Sequence, residues 1–498
     1  MSKALPLKVY SAAQIRAMDA AIIASGVPGF ELMQRAADAL WSAVLARWPA
    51  QGCLSVLCGA GNNAGDGYLV ALLAARAGWR VQVYSLSDPA GLQGVARQAW
   101  QAALAGQVPV QPWQPGTALQ GVVIDAMLGT GLKGAVREPY AQAIDTVNAC
   151  SLPVVAVDLP SGLDADRGVR CGKAIRADLT VTFIGLKLGL LTAEGPDHVG
   201  QLECASLAAK PEGDFEPIAQ RLDIATWAQA LPPRPRAAHK GLYGHVVLVG
   251  GERGMGGAIM LAAETALRSG AGRVSVVTRP EHVAPLLSRC PEIMVLGADD
   301  PATAVGLFER ADVLVVGPGL GSSDWSRSLL DLALQAELPM LLDADALNML
   351  AQESPRQLGA RCIITPHPAE AARLLGCTAA QIQADRLQAL GSLVERFGCA
   401  VVIKGVGSLV AAVDDQARPV AICTDGNPGM ATAGMGDVLS GLAGALLGQG
   451  LLAGDALRYA VLVHALAGDQ AARGGYRGLL ASDLIMPIKD LLNLRNQS

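Results

Sequence analysis

LSVLCGAGNNAGDGYLVALLAARAGWRVQVYSL, residues 54–86, decides the fold of the first half of the chain. LSVLCG (54–59) is an apolar run of strand length, and GNNAGDG (61–67) is a polar, glycine-rich loop. YLVALLAARAG (68–78) reads as a helix closed by Gly78, and WRVQVYSL (79–86) reads as the next strand. Strand, loop, helix and strand in that order make a βαβ unit, the building block of a parallel sheet.

Upstream of this stretch, Ser11 and Gln14 form an S-x-x-Q capping box ahead of Ile15, Met18 and Ile22 at helical spacing. A second helix is expected from Phe30 to Trp48, ending before Pro49. Downstream, GVVIDAMLG (121–129) and LPVVAVDLPSG (152–162) are further strands, each ending in a polar or glycine loop. From about Lys210 to Ala238 the alternation lapses into PEGDFEPIAQRL and LPPRPRAAHK, rich in proline and charge. A second α/β pattern follows, from HVVLVGGERGMGG (245–257) through RVSVVTRP, ADVLVVGPGLGSS, LPMLLDADAL, RCIITPHPAE and AVVIKGVGSLVAA to NPGMATAGMGD (427–437). The expected organisation is a Rossmann-like three-layer α/β domain over 1–212, a linker over 213–235 and a second α/β domain over 236–498. The two sets of loops differ, so the halves are not a repeat.

Composition agrees with large cores. Hydrophobic residues make up 51% of the 498 and charged residues 17%, too apolar for disorder. The net charge of −5 and the absence of any like-charge run exclude the electrostatic footprint of a nucleic-acid or membrane-surface binder. No secretory signal and no apolar run of about 18 residues stand in the sequence, so a cytoplasmic protein is expected. Ten cysteines lie scattered without a C-x-x-C pair and read as free thiols, and six histidines lack zinc-ligand spacing. A homo-oligomer acting on small molecules, without nucleic acid, is the expected assembly.

Three strand ends of the first half carry polar loops. They are Asn62-Asn63-Ala64-Gly65-Asp66-Gly67, then Asp125 with Gly129-Thr130-Gly131-Leu132-Lys133-Gly134, then Asp158-Leu159-Pro160-Ser161-Gly162. The first is neither a dinucleotide fingerprint nor a P-loop, since the spacing and the lysine are missing. Any one loop alone is equally a tight turn with capping Asn and Asp. Three at successive strand ends point to a ligand beyond the carboxyl edge of the sheet.

GNNAGDG, D-x-x-x-GTG and VDLPSG resemble the NAD(P)H-hydrate epimerase domain, and AQIRAMDAA with ELMQRAA resembles its first helices. The resemblance implies that Asn62, Asn63, Ala64, Gly65 and Asp66 cradle hydrated NADH or NADPH (NADHX, NADPHX). It extends that role to Gly129, Thr130, Gly131, Leu132, Lys133, Gly134 and Ala135. It also implies a potassium ion on Asn63, Asp125 and Ser161, whose hard oxygen donors suit an alkali cation. Asp158 would be the acid/base that lets the C6 hydroxyl leave as water and return on either face.

In the second half, Ala433-Gly434-Met435-Gly436-Asp437 is a small turn opening a helix. Its amides and the helix dipole favour an anion, and Asp437 beside them can take a proton from a hydroxyl attacking a phosphoryl group. Asp437 as a mere helix cap is the bland alternative. TPHPAE, KGVGS and NPGMATAGMGDVLSG together resemble ADP-dependent NAD(P)H-hydrate dehydratase, a ribokinase-like enzyme. Met435 stands where many ribokinase-like kinases carry threonine. The resemblance places Lys404, Gly405, Val406, Gly407, Ser408 and Gly436 on the adenine nucleotide with magnesium. It places Ala258, Gly319, Gly321, His367 and Asp437 on the hydrated dinucleotide. Lys404 could equally be a solvated surface lysine, and His367, between two prolines, could only satisfy a turn.

The implied activity is bifunctional repair: interconversion of the R and S epimers, then dehydration of the S form with ADP converted to AMP and phosphate. ATP in place of ADP stays open. A vitamin-precursor kinase fused to a ligand-binding Rossmann-like domain is the alternative reading, and a non-catalytic binding protein is a third.

Overall fold

The computed structural model describes residues 4–50, 52–208, 211, 213–354, 356–415 and 418–494. The chain forms two compact units, residues 1–220 and 221–498. The expected boundary at Glu212, like Lys210 where the pattern was expected to lapse, lies outside the described residues.

The first unit is built on seven strands: β1 (Cys53–Cys58), β2 (Arg80–Ser85), β3 (Val110–Pro112), β4 (Val122–Ala126), β5 (Val154–Val157), β6 (Leu179–Phe183) and β7 (Gln201–Ala205). They lie in the order β3-β2-β1-β4-β5-β6-β7, every pair parallel. The order reverses at β1 and β4, the switch point at which the ends of neighbouring strands splay apart and leave a crevice. β4 and β5 are buried throughout, as strands covered on both faces must be. The capping box predicted at Ser11 and Gln14 is present, and the helix it opens, Ala12–Ala24, buries Ile15, Met18 and Ile22. The second helix runs Gly29–Arg47 with Trp48 as its cap.

One expectation changes. Asn62 to Gly67 are not a loop before the helix but its first turns, helix Asn62–Arg76, with extended Gly61 as its cap. Packing explains why two glycines are tolerated there. A Cβ on Gly65 would meet Met33 Sδ at 2.6 Å, and one on Gly67 would meet Ala126 Cβ at 2.5 Å. The glycines let this helix settle close on helix Gly29–Arg47 and on the sheet, and that burial outweighs their poor helix propensity.

The second unit has nine strands: β8 (His245–Val249), β9 (Arg273–Thr278), β10 (Met294–Gly297), β11 (Val313–Val316), β12 (Met340–Leu342), β13 (Cys362–Ile364), β14 (Ala400–Ile403), β15 (Ser408–Ala411) and β16 (Val420–Cys423). Their order is β10-β9-β8-β11-β12-β13-β14-β15-β16, parallel as far as β14 and antiparallel beyond it. Helix Met435–Gly448 packs on helix Gly256–Arg268 so closely that a Cβ on Gly441 would meet the Ala262 carbonyl oxygen at 2.1 Å. Among the described residues no helix is long and apolar enough to cross a membrane, and all ten cysteines are free.

Candidate active sites

In the first unit, Asp158 follows β5 directly and sits at φ 65°, left-handed backbone that a non-glycine residue rarely adopts. Its Oδ1 accepts from the Phe183 amide at 3.0 Å, from Thr182 Oγ1 at 3.1 Å and from the Lys187 ammonium at 2.5 Å. Lys187 is completely buried, and its Nζ also donates to Thr182 Oγ1 at 2.8 Å. The two-residue strand that carries it, Leu186–Lys187, is clamped by pairing with Lys8–Tyr10. A buried ammonium needs a charge partner, and here it has one in Asp158.

A cavity of about 700 Å³ opens over this aspartate. Asn62, Asn63 and Asp66 line it from the helix, and Gly129, Thr130, Gly131, Leu132 and Lys133 line it from the loop after β4. Ala64 and Gly65 are buried in the helix instead, and Gly134 and Ala135 lie exposed outside the lining. Asp125 and Ser161 are wholly buried below. Asp125 accepts from Ser161 Oγ at 2.5 Å and from the Ser161 amide at 2.7 Å. Ser161 Oγ and Asn63 Nδ2 both reach the Leu128 carbonyl, at 3.2 and 3.3 Å. Burial pushes the Asp125 carboxyl up to about 6 despite those donors. A buried carboxylate, a hydroxyl, a carbonyl and an amide thus converge, a donor set that fits a hard monovalent cation. Among the described residues no group of His, Cys, Asp and Glu is arranged for a transition metal.

In the second unit, Gly434 caps helix Met435–Gly448 at φ 89°, and Asp437 stands in the first turn. Burial, with Asp343 adding repulsion, pushes Asp437 up to about 7. Lys404 does not reach into solvent as a surface lysine would. Its Nζ donates to Asp343 Oδ1 at 2.8 Å and lies 3.9 Å from Glu370. Burial opposes the Lys404 ammonium, but Asp343 and Glu370 prevail and raise its pKa. Ser440 Oγ donates to the other oxygen of Asp343 at 2.8 Å, tying the helix to β12. Gly436 sits over this pair, where a Cβ would come within 3.3 Å of Lys404 Nζ and 3.4 Å of Asp343.

Gly405 and Gly407 of the KGVGS loop have φ of 125° and 62°, so both need glycine. Beneath the loop, Arg386, only 2% exposed, donates to the carbonyls of Ile403, Lys404 and Gly407 at 3.1, 3.3 and 3.5 Å. His367 caps helix Pro368–Leu375 through Nδ1, and its Nε2 is 3.4 Å from Glu370. Ala258 and Gly319 adjoin, since a Cβ on Gly319 would meet that of Ala258 at 3.0 Å. The Gly321 amide donates to Asp345 at 2.8 Å. Val406 is exposed at the tip of its loop. Lys187, Thr182, Asp343, Glu370, Ser440 and Arg386 were not singled out from the sequence. The signal available was a charged or polar residue inside an apolar run, as at Lys187 in FIGLKLGLL and Asp343 in LPMLLDADAL.

Fold and sites together define a two-site α/β enzyme, one Rossmann-like unit with an aspartate-centred cleft and one ribokinase-like unit with a glycine-loop anion hole. A family model described as YjeF-related protein N-terminus matches residues 29–189, and one described as NAD(P)H-hydrate dehydratase matches 246–490. The bifunctional NAD(P)H-hydrate repair enzyme Nnr of Coxiella burnetii is 44% identical over 493 residues, covering 97% of this chain and 99% of that protein. The enzyme of the same name from Escherichia coli is 44% identical over 475 residues, covering 94% and 90%. A solved ribokinase-like superfamily protein from Enterococcus faecalis is 29% identical with a TM-score of 0.51, covering 57% of this chain and 98% of that one. The chain belongs to the family of bifunctional NAD(P)H-hydrate repair enzymes.

Proposed function

We propose that the chain repairs hydrated nicotinamide nucleotides in two steps. The first unit interconverts the R and S epimers of NADHX and NADPHX, and the second dehydrates the S form to NADH or NADPH while ADP becomes AMP and phosphate. Membership of the family through both halves favours this over a vitamin-precursor kinase fused to a binding domain. The observation that carries the residue assignment is that each unit brings an aspartate to a glycine-containing turn, Asp158 just after β5 and Asp437 in the first turn of helix Met435–Gly448.

Asp158 takes part as acid/base in the proton exchange by which the C6 hydroxyl leaves as water and returns on either face. The cradle is Asn62, Asn63 and Asp66 with Gly129 to Lys133, all lining the cavity. A potassium ion would be held by Asn63, Asp125 and Ser161 and would supply positive charge beneath the bound nucleotide. In the second unit Asp437, pushed up to about 7, is matched to accept the C6 hydroxyl proton near neutral pH. The amides around Gly434 to Gly436 would receive the transferred phosphoryl group, since a helix start favours an anion. Lys404 and the loop to Ser408 would hold the nucleotide phosphates, with magnesium accompanying them. The phosphorylated C6 oxygen then leaves as phosphate, pushed out by the ring-nitrogen lone pair, which a hydroxide would resist. The C5–H bond then breaks, its electrons form the C5=C6 bond, the C=N pair returns to nitrogen and the proton passes to water. Gly319, Gly321, Ala258 and His367 would flank the dinucleotide.

The test is incubation of the full chain with each NADHX epimer and ADP, following NADH absorbance and AMP. Recovery of NADH from both epimers, with AMP formed in step, is expected. No NADH from either epimer, together with phosphorylation of an unrelated alcohol, would sink the repair reading. Repeating the assay with ATP in place of ADP decides the nucleotide.

A further inference from the structure

We propose that Asp66 is a second catalytic carboxyl of the first cleft, the proton donor that works with the carboxylate of Asp158. The assignment rests on the epimerase reading given above.

Asp66 is carried by helix Asn62–Arg76 and lines the same cavity as Asp158, yet it is only 9% exposed. It makes no hydrogen bond or ion pair with any described residue. The cations nearby are directed elsewhere: Lys187 pairs with Asp158, and Arg16 reaches the Thr130 carbonyl at 3.3 Å. Lys133 also lines the cavity, but from the exposed side of the loop after β4. A carboxyl buried without a cation or donors holds its proton, because the charged form has nothing to replace water. Burial accordingly pushes Asp66 well above the usual carboxylate range, and Asp158 and then Asp19, on helix Ala12–Ala24, push it further.

Asp158 is the opposite case. Its Oδ1 takes three donors, one of them the ammonium of Lys187, so that oxygen is arranged to accept a proton and not to give one. One cleft therefore holds an acid and a base on two separate elements, the pairing that proton-transfer catalysis needs.

The step balances without any co-reactant. The Asp66 proton passes to the C6 hydroxyl oxygen, the C6–O bond breaks with its electron pair on that oxygen, and water departs. The ring-nitrogen lone pair forms the C6=N bond of an iminium ion. In return, a water oxygen bonds to C6, the C=N pair goes back to nitrogen, and Asp158 or the ionised Asp66 takes the water proton. When Asp158 takes it, the proton passes back to Asp66 before the next turnover. Nothing is oxidised or reduced.

The experiment uses the full chain without nucleotide. Purified (R)-NADHX is supplied, appearance of the S form is followed by chromatography, and labelled oxygen from water is traced into the C6 hydroxyl. Asp66→Asn is expected to lower kcat for both exchange and interconversion by about 100-fold or more, with KM within threefold. In the unmutated chain kcat should fall on the alkaline side as Asp66 ionises, and Asp66→Glu should keep part of the rate and that alkaline fall. A kcat for Asp66→Asn within threefold of the parent, or a rise in KM alone, would overturn the assignment. Should Asp66→Asn not fold, a flat alkaline profile in the unmutated chain would overturn it equally. No interconversion by the unmutated chain would remove the epimerase reading and this assignment with it, whereas interconversion retained in Asp66→Asn removes this assignment alone.

Discussion

Asp158 stands just after a strand and Asp437 in the first turn of a helix, and the protein surrounds the two carboxyls oppositely. Asp158 is fastened at one oxygen by three donors, including a fully buried lysine. Asp437 has no hydrogen-bond partner among the described residues, and its nearest lysine, Lys404, is bonded to Asp343 instead. The first aspartate is held in one orientation by these donors. The second is left near its own midpoint, about 7, so that it is partly ionised at neutral pH and could take a proton from a hydroxyl beside it. An epimerase that works on water needs a fixed geometry, while a general base for phosphoryl transfer works best with its midpoint near the working pH.

The largest effect that would break this contrast is at Asp437. Asp437→Asn should lower dehydration of (S)-NADHX by about 10³-fold, within the range for a lost general base, and leave epimerisation untouched. The parent enzyme's dehydration kcat/KM should rise with pH through about 7, because the base must be ionised, and the variant's residual rate should be flat across that range. The same substitution should stabilise the fold. A carboxyl raised to about 7 binds more protons folded than unfolded between about pH 4 and 7, so stability is lost as pH rises through that window. The Tm of Asp437→Asn should therefore match the parent near pH 4 and exceed it by roughly a few degrees at pH 8. A lower Tm at pH 8 would mean that Asp437 caps the helix and is needed for folding.

Next in size is Lys187. Lys187→Met keeps the apolar stem but leaves Asp158 with two donors and no cation. Epimerisation should fall by about 100-fold, because a misplaced acid/base costs that much, while dehydration of supplied (S)-NADHX continues. Removing one member of a buried pair also costs about 3–5 kcal/mol, so the first unit should melt earlier. Lys187→Arg tests geometry, since the same charge on a wider head cannot occupy the site closed by Thr182 and Phe183. Equal epimerisation in all three proteins would remove Lys187 from the mechanism.

These partners show what a linear reading reaches. The glycine loops, the strand ends and both aspartates stand out because each is a local break in an apolar pattern. Lys187 meets Asp158 across 29 residues, Lys404 meets Asp343 across 61, and Ser440 meets Asp343 across 97. Those meetings are made by crossover connections between parallel strands, and no local spacing encodes them. The helical state of Asn62 to Gly67 was hidden for a related reason. Two glycines and two asparagines argue for a loop, and only the contacts of Gly65 with Met33 and of Gly67 with Ala126 reverse that preference. His367 shows the converse, for the turn chemistry expected of it is visible in its cap on Ala369, and its approach to Glu370, which also lies near Lys404, is not.

The smallest predicted effect separates how the two units shape their ligand loops. In the first unit the cradle is the start of a helix, so its amides are aimed by the helix itself. In the second, the KGVGS loop has no helix, and Arg386 beneath it gathers the carbonyls of Ile403, Lys404 and Gly407. Drawing these carbonyls inward fixes the course of the loop backbone between Lys404 and Ser408. Burial pushes the Arg386 guanidinium down to about 10, which still leaves it charged at neutral pH. Arg386→Lys should therefore fail to hold the loop, because lysine lacks the second fork nitrogen, Nη1, whose bond to Gln383 orients Nη2 toward the three carbonyls. The expected result for Arg386→Lys is a roughly tenfold rise in the KM for ADP, about 1.4 kcal/mol, with kcat and epimerisation unchanged. A fall in kcat with KM unchanged would instead make Arg386 a support for Lys404 and Asp437, and the loop would owe its shape to Gly405 and Gly407 alone.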